Sequence, residues 1–167
     1  TLGADVPLFV FSQNALGEGV GERLQALVLP AASYLILRPQ VSVSTKEIFS
    51  SAALTRDTKP LTIPPFLAGS GRNDLEPVVI RRYAEVARHL TWLKSQVPGA
   101  RMTGSGACVY AAFGSEAEAR AVAARLPAVA QSRTGVVRMN VGDLVKPDTV
   151  DLINPHADRT GEIRFHH

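Results

Sequence analysis

One segment decides the fold. Residues 73–113 read NDLEPVVIRRYAEVARHLTWLKSQVPGARMTGSGACVYAAF. In its first part, apolar side chains recur at alternating spacings of three and four residues, which indicates one buried face of an α-helix. This stripe consists of Leu75, Val79, Tyr83, Val86, Leu90, Leu93 and Val97. We therefore predict one helix over about residues 74–97, with Asn73 as its N-cap, Glu76 three residues on, and Pro98-Gly99 as its end.

A glycine-rich turn, Thr103–Ala107, follows the helix and precedes an apolar strand predicted over Cys108–Phe113. Closely spaced glycines let backbone N–H groups approach an anion without interference from Cβ atoms. A tight connection that only reverses the chain is the alternative interpretation. The turn is not a P-loop, because no Lys-Ser or Lys-Thr pair follows at the required spacing. It is not a dinucleotide-binding fingerprint either, because no helix begins directly after it.

The remaining elements complete the pattern. Strand-type apolar segments lie at about residues 6–11, 15–18, 34–37 and 135–141. Capping boxes, in which a serine precedes a glutamate by three residues, predict helices that begin after Ser44 and Ser115, the second ending at about Leu126. Residues 55–72 are rich in Pro, Gly, Thr and Ser and are predicted to be a loop. The order of elements predicts an α+β fold, with helices packed on one face of a mainly antiparallel sheet.

Composition narrows the class of protein. Apolar residues make up 46% of the 167-residue chain, enough for a packed core, and no stretch approaches the roughly 20 apolar residues of a membrane span. The net charge of +3 is spread along the chain, with only Arg81-Arg82 adjacent, and aromatics are 6%. This pattern argues against a nucleic-acid partner. The single cysteine, Cys108, excludes an internal disulfide framework, and with no secretory signal in the sequence we expect a cytoplasmic location.

Five side chains invite individual hypotheses. Asp5 lies on a turn of small residues just before an apolar run, where a carboxylate can face a cleft, although from this position alone an Asx-type turn or cap is the better explanation. Cys108 follows the glycine turn, but no activating histidine lies in its motif, so we expect a buried small side chain rather than a nucleophile. His89 lies off the apolar stripe and is predicted to be solvated. The adjacent His166-His167 pair has no ligand geometry behind it, and we predict no metal site.

Three separated motifs carry a resemblance to a known family. They are LGADVP at residues 2–7, GEGVGE at 17–22 and MTGSGACV at 102–109, in this order. Together they resemble the GHMP superfamily of ATP-dependent small-molecule kinases. Within it they are most similar to the branch that phosphorylates a cytidine diphosphate-linked methylerythritol in non-mevalonate isoprenoid synthesis. The resemblance covers about residues 1–141 and implies a ferredoxin-like C-terminal, substrate-binding lobe, with residues 1–20 as a remnant of the N-terminal domain.

The resemblance also implies roles for individual residues. Asp5 matches the family's catalytic aspartate, which accepts or orients the proton of the substrate's 2-hydroxyl as that oxygen attacks the γ-phosphoryl group of ATP. The family implies Mg²⁺ together with ATP. Gly104, Ser105 and Gly106 match the third conserved motif, whose backbone donors can support phosphate groups.

Two further positions match the substrate side of the family. Thr45 and Phe49 stand four residues apart at a predicted helix start and therefore share a face. The Thr45 hydroxyl can hydrogen-bond the ligand, and the Phe49 ring can stack on cytosine. Packing of Phe49 in the protein core is an equally good interpretation from the sequence.

The sequence also departs from the family pattern. The family's ATP-cradling glycine-rich loop, its N-terminal lysine and its cytosine-contacting Tyr-His pair are not found in residues 1–167. We therefore expect a fragment of the kinase that is inactive alone. Residues 142–167 form a polar tail to which we assign no function. Another GHMP kinase, of the homoserine, mevalonate or galactose type, and a regulatory module that binds small metabolites without catalysis are the alternatives. The oligomeric state is left open.

Overall fold

The computed structural model describes residues 6–19, 23–58, 71–127, 134–139 and 151–153. The helices of this part of the chain are α1 (Val6–Phe11), α2 (Thr45–Phe49), α3 (Glu76–Arg82), α4 (Ala84–Gln96) and α5 (Glu116–Ala123). The strands are β1 (Ala15–Glu18), β2 (Arg23–Ala26), β3 (Ala32–Leu37), β4 (Arg101–Met102), β5 (Val109–Phe113), β6 (Thr134–Met139) and β7 (Asp151–Ile153). Most of the predicted loop at 55–72 lies outside the described residues, and its described ends contain no helix or strand.

The main sheet has five strands in the order β4-β5-β3-β6-β7, and each neighbouring pair is antiparallel. Strands β1 and β2 form a separate antiparallel hairpin. The predicted α+β class with a mainly antiparallel sheet is therefore confirmed. Strand β7 comes from residues 142–167, for which the sequence predicted no element, and it pairs with β6.

The core lies between one face of this sheet and the helices. Strand β3 alternates between buried and half-buried residues, and its buried Leu35 and Leu37 face the same side as Ala111 and Val109 of β5. Helices α4 and α5 complete this core with the buried residues Val86, Leu90, Leu93, Ala119 and Val122. On the opposite face, the rings of Tyr34 and Tyr110 lie 6.0 Å apart and are only half-buried. The strand predicted at 34–37 is therefore present as part of β3, with only its alternate residues buried.

The apolar run at residues 6–11 forms helix α1 and not the predicted strand. A short continuous apolar run does not distinguish the two structures, because it carries neither the period of a strand nor that of a helix. Pro7 stands in the first turn, where a helix tolerates proline because that N–H has no partner in the helix. The α1 side chains of Leu8 and Val10 are 43% and 78% exposed.

The predicted long helix at 74–97 is interrupted at Tyr83, whose φ of −121° and ψ of 88° lie outside the helical region. Helices α3 and α4 meet at this residue. The hydrogen bonds continue past the break, since Tyr83 N donates to the Val79 carbonyl (2.8 Å) and Ala87 N donates to the Tyr83 carbonyl (3.1 Å). Val79 and Val86 are both fully buried. The spacing of apolar residues is thus the same across the break, and the sequence pattern could not reveal it.

The capping predictions have mixed outcomes. Ser44 and Ser115 accept hydrogen bonds from the backbone N–H of Glu47 and Glu118, each at 3.3 Å, as predicted. Asn73 is not the N-cap of α3. That helix begins at Glu76 with Leu75 at the cap position and no capping side chain. The side chains at 73 and 76 are instead used in long-range contacts.

His89 is buried, with 1% of its surface exposed, so the prediction of a solvated side chain was wrong. Its Nδ1 lies 2.8 Å from the Glu85 carbonyl oxygen on the preceding turn. Helix α4 contacts α3 as well as strands β4 and β5. The buried face of α4 is therefore wider than its apolar stripe and includes His89, which is next to Leu90 in the chain.

Candidate functional site

The glycine turn joins the antiparallel strands β4 and β5. Strand β4 lies between the end of α4 and the turn. Thr103 N donates to the Cys108 carbonyl at 2.9 Å, and Gly106 N donates to the Thr103 carbonyl at 2.7 Å. Within the described part of the chain, the N–H groups of Gly104 and Ser105 donate to no protein acceptor. The turn therefore presents unused backbone donors, as an anion-binding turn requires.

Gly104 and Gly106 serve different purposes in the turn, although both have positive φ angles, of 39° and 88°. A Cβ atom on Gly104 would meet nothing within 4 Å, so this side of the turn is open. A Cβ atom on Gly106 would lie 3.1 Å from Met102 Sδ and 3.5 Å from Val79 Cγ1. Gly106 thus lets the turn pack on the core, whereas Gly104 and Ser105 line its open side.

This difference predicts unequal costs of substitution. Gly104→Ala and Gly106→Ala both place a side chain at positive φ, but only Gly106→Ala also crowds Met102 and Val79. We expect Gly106→Ala to lower the free energy of unfolding by about 1–3 kcal/mol more than Gly104→Ala, the usual cost of overpacking. Urea denaturation of the two variants measures the difference. An equal or larger loss in Gly104→Ala would contradict this division of roles.

Thr45 and Ser105, both predicted as site residues, come into direct contact. Thr45 is the first residue of α2, and its Oγ1 lies 2.8 Å from Ser105 Oγ although 60 residues separate them in the chain. The buried side chain of Ile48 anchors α2 on the core. Phe49, one turn after Thr45 and on the same helix face, is 51% exposed. Its ring is therefore available to a ligand, and the alternative of core packing is not supported.

The thiol of Cys108 is partly buried at the end of the glycine turn. Burial raises the pKa of this thiol, and the positive charge of Arg38 opposes the rise only in part. The thiol is consequently protonated at neutral pH and a poor nucleophile. This agrees with the prediction that Cys108 is a packing residue.

Asp5 lies outside the described residues, which begin at Val6 in α1. Its catalytic role therefore stays a prediction. Among the described residues, no group of three or more His, Cys, Asp or Glu side chains is arranged to hold a metal ion. No helix in the described part of the chain is long and apolar enough to span a membrane.

Asn73 and Glu76 are the residues that sequence reasoning missed, because it interpreted them as helix caps. The Asn73 amide Nδ2 donates to the Gly104 carbonyl at 2.7 Å and to the Met102 carbonyl at 3.2 Å. Glu76 accepts from Met102 N at 3.2 Å and forms a salt bridge with Lys94 at 2.6 Å. The Asn73 Oδ1 still accepts locally, from Leu75 N at 3.0 Å, while its Nδ2 makes the long-range bonds. No local sequence signal reveals the partners of this second group.

A cleft of about 390 Å³ lies between the residues at the start of α3 and those that follow the end of α4. Charged residues line it, but two of its cations already have partners. Arg72 is paired with Asp74 at 2.7 Å and Lys94 with Glu76. Thr45, Phe49 and Ser105 do not line this cleft. We therefore place the candidate site at the contact of Thr45 with Ser105 and not in the cleft.

Comparisons with known proteins show which family this chain is similar to. Residues 62–131 match the family model described as GHMP kinases C terminal. Over 129 residues the chain is 59% identical to the 4-diphosphocytidyl-2-C-methyl-D-erythritol kinase of Nitrosospira multiformis, covering 75% of this chain and 44% of the relative. The kinase of the same name from Thiobacillus denitrificans is 59% identical over 126 residues, covering 75% and 45%. The chain thus spans less than half the length of these relatives.

A solved structure shows the same fold. The crystal structure of a 4-(cytidine 5'-diphospho)-2C-methyl-D-erythritol kinase superposes with a TM-score of 0.63 at 26% identity, over 83% of this chain and 55% of that protein. The sheet, the helices and the family match are consistent with one another. The chain therefore has the fold of a GHMP kinase C-terminal domain, and over 75% of its length it is similar to part of the two kinases named above.

Proposed function

We propose that this chain is the substrate-binding part of an ATP-dependent kinase that phosphorylates the 2-hydroxyl of 4-diphosphocytidyl-2-C-methyl-D-erythritol in isoprenoid precursor synthesis. The relatives that are 54–59% identical to it over 126–137 aligned residues carry the name of this kinase. We further propose residues 1–141 as the lobe, with residues 1–20 as a remnant of the N-terminal domain. Strand β7 adds a piece of the 142–167 segment to the same sheet.

The observation that carries the proposal is the 2.8 Å contact between Thr45 Oγ1 and Ser105 Oγ. It joins the helix expected to bind the cytidine end of the substrate to the turn expected to bind phosphate. A cytidine diphosphate has an aromatic ring at one end and two phosphate groups at the other. The exposed Phe49 ring can stack on the aromatic ring of this ligand. The unused N–H groups of Gly104 and Ser105 can donate to its phosphate groups.

Each proposed site residue has a distinct role. Phe49 stacks on the cytosine ring, and the Thr45 hydroxyl hydrogen-bonds the ligand. Gly104 and Ser105 donate backbone N–H groups to phosphate oxygens, and Gly106 lets the turn pack in the shape that exposes them. Asp5 accepts or orients the proton of the attacking hydroxyl.

ATP and Mg²⁺ are the co-substrate and the ion that this reaction needs. The glycine turn suits a phosphate group of either substrate, because its free N–H groups are donors. We assign no described residue to Mg²⁺. When bound, the ion neutralises charge on the phosphates that are being transferred.

Replacing Phe49 tests the proposal. We expect Phe49→Ala to weaken binding of cytidine diphosphate by about 1–3 kcal/mol, or roughly 5- to 150-fold, because the base loses its stacking partner. Stability should change by less than about 0.5 kcal/mol, since half of the ring is exposed. Calorimetric titration measures the affinity, and urea denaturation measures the stability.

Val28→Ala is the matched control, since Val28 is 85% exposed and lies outside the site. It should bind cytidine diphosphate as the wild-type chain does. An unchanged affinity in Phe49→Ala, or a wild-type chain that does not bind cytidine diphosphate, would contradict the proposal.

A further inference from the structure

The outer edge of β4 is covered by two side chains from the start of α3. Among the described strands, β4 pairs only with β5, so the backbone groups on its other edge need partners. The Met102 N–H donates to Glu76 Oε2 at 3.2 Å, and the Met102 carbonyl accepts from Asn73 Nδ2 at 3.2 Å. The segment from Asn73 to Glu76 therefore acts on this edge as a neighbouring strand would.

Asn73 also reaches into the glycine turn, where its Nδ2 donates to the Gly104 carbonyl at 2.7 Å. In a planar trans peptide, the carbonyl of one residue and the N–H of the next point in opposite directions. Because the Gly104 carbonyl points at Asn73, the Ser105 N–H points away from it. The neighbouring Met102–Thr103 peptide shows the same relation, since its carbonyl faces Asn73 while Thr103 N donates to the Cys108 carbonyl on the other side.

The Ser105 N–H therefore points to the side of the turn opposite Asn73. The Ser105 N–H has no protein acceptor among the described residues. A Cβ atom on Gly104 would meet no neighbour within 4 Å, so a ligand atom can approach the backbone there. The Ser105 hydroxyl is held by Thr45 Oγ1.

We propose that Asn73 is a positioning residue of this site: by binding the Met102 and Gly104 carbonyls, it turns the Gly104–Ser105 peptide so that its N–H faces the phosphate of the ligand. The proposal rests on the proposed function for the identity of that ligand. Asn73 does not touch the phosphate itself. Its Oδ1 accepts from Leu75 N at 3.0 Å, which fixes the amide so that the donors face the turn.

Asn73→Asp separates the two roles of this side chain in the 167-residue chain. The variant keeps an oxygen for the Leu75 N–H but replaces the NH₂ donor with a carboxylate oxygen that repels both carbonyls. Glu76→Gln is the matched control, because it keeps an oxygen for the Met102 N–H and loses only the charge and the acceptor oxygen that bind Lys94. In ¹⁵N–¹H spectra, we expect the Ser105 amide resonance to move in Asn73→Asp and to stay in place in Glu76→Gln.

Ligand titration supplies a readout that a purely structural role would not change. We expect Asn73→Asp to bind inorganic pyrophosphate about tenfold or more weakly, the cost of losing one aimed hydrogen bond to a charged group. Its affinity for cytidine should stay as in the wild-type chain, because Phe49 is untouched. Equal losses for pyrophosphate and cytidine would indicate general unfolding and overturn the proposal, as would an unmoved Ser105 resonance.

Different results would contradict the phosphate-binding function of the turn and the positioning role of Asn73. If pyrophosphate shifts no resonance of Gly104 or Ser105 in the wild-type chain, the phosphate-binding function of the turn is wrong. The ligand-free spectra of Asn73→Asp still decide whether Asn73 orients the Ser105 amide. If pyrophosphate binds equally well to wild type and to Asn73→Asp, the function stands and the positioning role is wrong.

Discussion

Asp5→Asn is expected to lower kcat by about 10²–10⁴-fold, the usual contribution of a positioned acid or base. The substitution is made in a full-length kinase that joins this chain to the N-terminal half of the longer relatives. Asparagine keeps nearly the same shape but cannot take up the proton of the attacking hydroxyl. The Kd for the cytidyl substrate should change little, because the effect is confined to the transition state. Steady-state kinetics and a substrate titration without ATP measure the two quantities.

Asp57→Asn is the control for this prediction, since Asp57 is an exposed carboxylate on a described loop. Its kcat should equal that of the wild type. Turnover close to wild type in Asp5→Asn would show that Asp5 is a turn residue without a chemical role. A large rise in Kd with little change in kcat would assign it to substrate binding instead.

Leu35→Ala is expected to lower the free energy of unfolding by about 2–5 kcal/mol, because it opens a cavity that the surroundings fill only in part. Leu35 is 0% exposed and lies on β3, which is paired on both sides by β5 and β6. Its side chain belongs to the core between the sheet and the helices. Thermal or urea denaturation of the 167-residue chain measures the loss.

Ile36→Ala is the matched control, since it removes a side chain of the same size from the adjacent position of the same strand. Ile36 is half-buried on the opposite face of the sheet, with Tyr34 and Tyr110. We expect it to cost less than half as much as Leu35→Ala. Equal losses would mean that both faces of the sheet are covered equally, contrary to the single core described above.

Features that depend on near neighbours in the chain were predictable from the sequence. The N-cap hydrogen bonds of Ser44 and Ser115 join groups only three residues apart, and both form. The apolar stripe through Val86 and Leu93 faces the core because the helical period places those residues on one side. The α+β class follows from the order of such elements.

Features that depend on contacts between residues distant in the chain could not be predicted from the sequence. Asn73 has the right side chain for an N-cap, but its amide binds a carbonyl 31 residues away. His89 looks solvated on an isolated helix and is buried once α3 and the sheet pack around α4. The helix break at Tyr83 does not change the spacing of the apolar residues, so the sequence pattern does not reveal it.

The candidate site also has some features that the sequence predicted and others that only the tertiary structure revealed. By itself the sequence determined the starts of the two serine-capped helices, the central strands and the candidates Thr45, Phe49 and the Gly104–Gly106 turn, because each is a local pattern or a family motif. Only the tertiary structure decided that Thr45 touches Ser105 across 60 residues, that the Phe49 ring is exposed, and that Gly106 packs while Gly104 stays open. The physical reason is that a side chain's partners and its access to solvent depend on which surfaces pack together, and local sequence does not specify that packing.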